Sequence, residues 1–118
     1  ARWPNPRYQH RLRVEHWDNA VQQGRYVARR ALNGPDIGPY EPVPWVWTDQ
    51  YDLKVQIYGS LLGVDELKIV ERQGDTRLVA LGRRQDHLGA AIGINRAKSM
   101  LRYLSLLEQK ALWSDAIS

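Results

Sequence analysis

The chain has 118 residues, enough for one domain with a modest hydrophobic core. Five Trp and six Tyr stand against no Phe, which favours aromatic side chains with a polar handle at half-wetted positions. The absence of Cys excludes disulfides, thiolate catalysis and cysteine-ligated zinc or iron–sulfur centres, while the net charge of +4 favours anionic partners, either a nucleic acid or an acidic protein.

In chain order, the Pro- and Arg-rich opening, 1–13, shows little periodicity and reads as a loop continued from something upstream. A helix is predicted from Asn19 to Leu32, with Asp18 as N-cap, Arg29 and Arg30 in the last turn, and Gly34-Pro35 as the stop. Its inward stripe is Ala20, Gly24, Ala28 and Ala31, small enough to suit either tight helix–sheet packing or a flat ligand. Four prolines and two glycines between Asn33 and Pro44 predict a stiff linker and a boundary.

Beyond the linker the pattern becomes that of strands. Leu53, Val55 and Ile57 alternate with Lys54, Gln56 and Tyr58 until Gly59 breaks the run. A second strand covers Leu67–Glu71, and Arg77–Gly82 with His87–Ile94 predict a hairpin around Arg84-Gln85-Asp86. The nearly all-apolar run 78–81 is expected to be central. A last helix, about Arg96 to Gln109 with Asn95 as cap, presents Ala97, Met100, Leu101, Leu104 and Leu107 on one face. The predicted class is α+β: an antiparallel sheet of three to five strands with a C-terminal helix packed on it, preceded by a separate helix.

Two clusters carry the chemistry. Glu15-His16-Trp17-Asp18-Asn19-Ala20 lies just ahead of the first helix, where backbone N–H groups favour negative charge or an electron-rich oxygen. Capping with surface packing is the simpler reading of the same residues. In Pro44-Trp45-Val46-Trp47-Thr48-Asp49-Gln50-Tyr51-Asp52, Trp45 and Trp47 point to one side of an extended chain. They make either a platform for a planar ring or a buried aromatic corner. Any redox chemistry requires a cofactor or partner that brings its own reactive centre.

Three segments, in order, resemble the FAD-dependent ferredoxin reductases that serve oxygenases and cytochromes P450, relatives of the apoptosis-inducing factor. They are Val14-Glu15-His16-Trp17-Asp18-Asn19-Ala20, Pro39-Tyr40-Glu41-Pro42-Val43-Pro44 and Trp47-Thr48-Asp49-Gln50-Tyr51-Asp52, continued by 53–57 and by Asn95-Arg96. The resemblance implies that residues 1–42 are the end of an FAD-binding domain plus linker, and that 43–118 are the reductase C-terminal domain. It implies that Asn19 and Ala20 meet the pyrimidine end of the flavin, that Glu15, His16 and Trp17 line the same pocket, and that Trp47 stands near the nicotinamide. Thr48 replaces the family's usual Ser, and Ala97 replaces a common Pro.

No G-x-G-x-x-G occurs, and the family's Gly-Asp ahead of the opening segment is missing. The chain alone is therefore expected to hold neither FAD nor NAD(P)H and to be inactive, as a fragment of a larger reductase. The expected partner is an acidic [2Fe-2S] ferredoxin, steered by Arg25, Arg29, Arg83 and Arg84. The alternative is a stand-alone interaction module or a homodimerisation module without catalysis. Nucleic acid is the weaker partner reading, because the arginines are dispersed. No apolar run approaches the ~18 residues of a membrane span and no signal peptide is visible, so the expected location is cytoplasmic.

Overall fold

Seven strands and three helices follow one another along the chain, and the computed structural model describes all 118 residues. They divide into two compact units, Ala1–Pro42 and Val43–Ser118.

The first unit opens with a hairpin and not with the loop expected from its composition. β1 (Arg2–Asn5) pairs antiparallel with β2 (His10–Arg13), Trp3 standing opposite Leu12. Pro4 is tolerated because a two-stranded ribbon has only edges. The turn is organised by Asn5, which is 1% exposed. Its Oδ1 accepts the Arg7 N–H at 3.0 Å, its carbonyl accepts the Tyr8 N–H at 3.2 Å, and its Nδ2 donates to the Pro42 carbonyl at 3.2 Å. Tyr8 and Leu12 are buried.

The first helix, α1 (Trp17–Asn33), begins two residues earlier than predicted. The cap position falls on His16 in extended backbone, and no side chain there bonds to the first-turn amides. Asp18 is thus a first-turn acid favoured by the helix dipole and not the N-cap. Gly34 does end the helix: its φ is 77° and its N–H donates to the Arg30 carbonyl at 2.8 Å. The small stripe of Ala20, Gly24, Ala28 and Ala31 is exposed, contrary to expectation, and a Cβ on Gly24 would meet nothing within 4 Å. The sheltered face carries Asn19, Gln22, Gln23 and Tyr26. A short 3-10 turn at Pro35–Ile37 begins the linker.

The second unit is a five-stranded antiparallel sheet of β3 (Trp45–Gln50), β4 (Leu53–Gly59), β5 (Glu66–Gln73), β6 (Arg77–Arg84) and β7 (His87–Ile94), in the order β3-β4-β7-β6-β5. β7 takes the centre with β6 beside it. α2 (Ala97–Glu108) lies on one face, followed by the one-turn α3 (Trp113–Ile117). Val79, Leu81, Ala91 and Met100 are wholly buried where α2 meets the sheet, with Tyr58, Leu88, Tyr103 and Leu107 around them. Leu101, predicted to face inward, is 62% exposed, and Ala97 is also exposed. Met100 and Leu107 face inward as expected, joined by Tyr103, which the helical stripe had not included.

Asn95 does not cap α2, whose cap position is Arg96 without a side-chain bond. Held at φ 50°, Asn95 clamps the sheet instead. Its Oδ1 accepts the Lys54 N–H at 2.8 Å, its Nδ2 donates to the Thr76 carbonyl at 3.0 Å, and its own N–H reaches the Lys54 carbonyl at 2.9 Å. Asn tolerates this left-handed backbone better than other non-glycine residues do.

α2 is tied to β5 through Glu71, which follows an irregularity in the ladder between Ile69 and Glu71. Its carboxylate accepts the Arg96 guanidinium through both Nε and Nη2, the Ser99 hydroxyl at 3.0 Å and the Tyr103 hydroxyl at 3.4 Å. The Arg96 hydrogen bonds hold this carboxyl below its usual pKa of 4.5, outweighing the opposing effect of burial. A carboxyl depressed in the folded state stabilises above its unfolded pKa and loses that contribution as pH falls through the folded value. Glu71→Gln is therefore expected to cost about 1–2 kcal/mol at neutral pH and to flatten the loss of stability below pH 4.5. Urea denaturation at pH 7 and at pH 3 checks this, and equal losses at both would remove Glu71 from the account.

Candidate functional site

The start of α1 gathers most of the residues singled out from the sequence. β2 runs out at Arg13, the chain crosses Val14 and Glu15 without regular structure, and His16, in extended backbone, leads into the helix. A concavity of about 520 Å³ opens here, lined by Arg2, Glu15, His16, Trp17, Asn19 and Ala20 among others. His16 is half-buried, Asn19 is buried, and Trp17 stands 70% exposed with its indole to solvent. Glu15 lies on the rim, paired with Arg13 at 2.6 Å. The amides of Trp17, Asp18 and Asn19 belong to the first turn, where an α-helix has donors without intrahelical acceptors. With no side-chain cap at His16, these donors and the positive end of the helix dipole are left available to a ligand.

The turn is braced from behind. Asn19 Nδ2 donates to the Val14 carbonyl at 3.0 Å, and Asn19 Oδ1 accepts the Tyr40 hydroxyl at 3.1 Å. The Tyr40 ring lies between those of Trp3 and Tyr26, with centroids 5.1 and 5.2 Å away. Trp3 Nε1 donates to the Tyr40 carbonyl at 3.0 Å, and the Tyr26 hydroxyl donates to the Gly38 carbonyl. Burial, reinforced by the Asp18 carboxylate, pushes the Tyr40 hydroxyl up to about 12. Sequence reasoning gave Tyr40 no role: it stands 21 residues from Asn19, and no local pattern marks so distant a pairing.

Trp47 belongs to the second unit. On the edge strand β3 it is 37% exposed, its ring 4.8 Å from that of Trp45 at an angle of 37°. Trp45 stacks in turn on Tyr58 at 5.9 Å and 16°. The three rings form a graded stack, buried at Tyr58 and open at Trp47. Platform and aromatic corner are thus two ends of one structure.

The predicted partner-binding arginines differ in kind. Arg25 and Arg29 are exposed on α1. In the second unit Arg83 is committed to Asp65 at 2.9 Å and Glu66 at 3.1 Å. Arg84 is half-buried, with its stem laid over Gly63. No group of three or more His, Asp or Glu gathers to hold a metal, and no helix is long and apolar enough to cross a membrane.

Residues 45–117 match the family model described as "Reductase C-terminal", and the chain belongs to this family. It is 35% identical over 98 residues to the 5,5'-dehydrodivanillate O-demethylase ferredoxin reductase subunit of Sphingobium sp. (strain NBRC 103272 / SYK-6), a match covering 82% of this chain and 23% of that protein. The crystal structure of the ferredoxin reductase for the CYP199A2 system from Rhodopseudomonas palustris superposes with a TM-score of 0.74 at 31% identity, over 94% of this chain and 29% of that one. Putidaredoxin reductase, in its covalent complex with putidaredoxin, shares the fold with a TM-score of 0.83 at 22% identity, over 93% of this chain and 26% of that chain. The chain thus spans about a quarter of the length of the relatives it matches.

Proposed function

We propose that this chain is the C-terminal part of an NAD(P)H-dependent, FAD-containing ferredoxin reductase that passes electrons to a [2Fe-2S] ferredoxin serving an oxygenase or cytochrome P450. The observation that carries the reading is the uncapped N-terminus of α1, opening on a concavity in a chain of the reductase C-terminal family. Residues 1–42 are read as the end of the FAD-binding domain and 43–118 as the domain that follows it.

The residues present fit one edge of a flavin. The first-turn amides up to Asn19 and Ala20 are donors for an electron-rich ring edge, and the helix dipole favours negative charge there. His16 and Trp17 supply walls, and the Glu15–Arg13 pair closes the rim with little net charge. Trp47 is the aromatic surface that the second unit offers to a planar ring. When bound, FAD supplies the exchange between two-electron chemistry at the nicotinamide and one-electron chemistry at the ferredoxin. Arg25 and Arg29 would steer an acidic ferredoxin, a role in encounter rate more than in affinity. Arg83 contributes less, its charge being offset by Asp65 and Glu66.

The 118-residue chain holds no glycine-rich phosphate loop and is not expected to turn over by itself. The test is to purify the full-length product of the gene that encodes it, with the isolated chain alongside. NADH- or NADPH-dependent reduction of a [2Fe-2S] ferredoxin is then followed for both. Flavin absorption and turnover are expected from the full-length protein alone. A flavin-free full-length protein that binds oligonucleotides in a salt-dependent way, or merely self-associates, would sink the reading.

A further inference from the structure

We infer that Tyr40 is a positioning residue for the α1 N-terminus, its hydroxyl fixing the amide of Asn19 in the one orientation that ties the first helical turn to Val14. The inference rests on the reading of that turn as a flavin-binding edge.

An Asn side chain has a donor end and an acceptor end, and rotation by half a turn exchanges them. Here the Val14 carbonyl decides which end is which, and the Tyr40 hydroxyl holds the other end in place. The Val14 carbonyl can only accept, so it requires Nδ2. The Tyr40 hydroxyl could donate or accept, and with Nδ2 taken by Val14 it donates to the Oδ1 that faces it. It remains a donor throughout the working pH range, since burial and Asp18 keep it protonated. Asn19 is 7% exposed, so water is a poor substitute for either partner. Tyr40 is in turn immobilised by the rings of Trp3 and Tyr26 and by the bond from Trp3 to its carbonyl. The linker thereby reaches back to the turn whose amides would face the ligand, and links their direction to the β1–β2 hairpin through Trp3.

Tyr40→Phe removes only the hydroxyl and keeps the ring between its neighbours. In the full-length protein, loss of one buried hydrogen bond is expected to weaken FAD binding about five-fold. It should also move the flavin midpoint potential in the negative direction, because a loosened turn aims its dipole less well at negative charge. Asn19→Ala should do at least as much, and the double variant no more than Asn19→Ala, because the hydroxyl acts through that amide. A lowered melting temperature with unchanged FAD affinity and potential would make Tyr40 a structural residue only. Additive effects in the double variant would equally overturn the inference. A wild-type protein that binds no FAD defeats the parent reading and this one together, whereas a flavin-binding wild type with an unchanged Tyr40→Phe variant defeats this one alone.

Discussion

Gly59→Ala is expected to destabilise the second unit by about 4 kcal/mol, from backbone strain and a clash that act together. Gly59 ends β4 with φ at 86°, a conformation that L side chains rarely adopt. A Cβ built there would lie 2.3 Å from the Gly89 carbonyl oxygen and 3.0 Å from the Ala90 Cα, both backbone atoms of the central strand β7. A side chain can rotate out of the way, but a paired strand cannot. The same Gly89 oxygen accepts the Ser60 N–H at 3.1 Å, and Gly59 itself donates to the Pro44 carbonyl at 2.8 Å. Moving either strand to make room therefore breaks the bonds that close this corner of the sheet. Against the ~5–15 kcal/mol that separates a folded domain from its unfolded chain, the loss should appear as a large drop in the urea midpoint. A change under about 1 kcal/mol would mean that the corner relaxes, and that the glycine is required by neither its angle nor its neighbours.

Where a stretch of sequence answers to one neighbour and one period, it could be read directly. The alternation at Leu53, Val55 and Ile57 gave β4, the apolar run 78–81 marked β6 as interior, and Met100, Leu104 and Leu107 showed which side of α2 is covered. The hairpin at the start could not be seen in this way. Its strands are rich in Pro and Arg, and Asn5 is held by the Pro42 carbonyl, 37 residues away. β3 was masked because it is an edge strand whose second half, Thr48-Asp49-Gln50, is exposed and polar. Asn95 looked like a helix cap because it precedes a helix, yet its side chain is used by Lys54 and Thr76. The exposed stripe on α1 shows the opposite error, in which helical spacing of small residues was taken as burial. Of the candidate site, Glu15 through Ala20 were legible because a helix start is a local signal. The brace behind them, Tyr40 with Trp3 and Tyr26, was not, since it is made entirely of contacts between distant positions.

The close fit of α2 on β7 leads to a prediction about a pair. Met100 is 0% exposed on the sheet-facing side of α2, and its side chain occupies the space that a side chain on Gly93 would need. A Cβ on Gly93 would stand 2.5 Å from Met100 Cγ and 2.6 Å from its Sδ. Those atoms lie near the middle of the side chain, so the collision cannot be relieved at a free end, and Gly93→Ala is expected to cost about 2 kcal/mol. Met100→Ala empties a slot bounded by Val79, Leu81 and Tyr103 and is expected to cost about 3 kcal/mol. Independent effects would sum to about 5 kcal/mol for the double variant. The new methyl on residue 93 instead enters the space that Met100 vacates. It removes the clash, fills part of the cavity and limits the freedom of a strand glycine in the unfolded chain. The double variant should therefore lose only about 3 kcal/mol, a coupling of about 2 kcal/mol measurable by chemical denaturation of all four proteins. Simple additivity would show that α2 has room to shift on the sheet and that its position is set elsewhere, with Glu71 and its bonds to Arg96, Ser99 and Tyr103 as the remaining anchor.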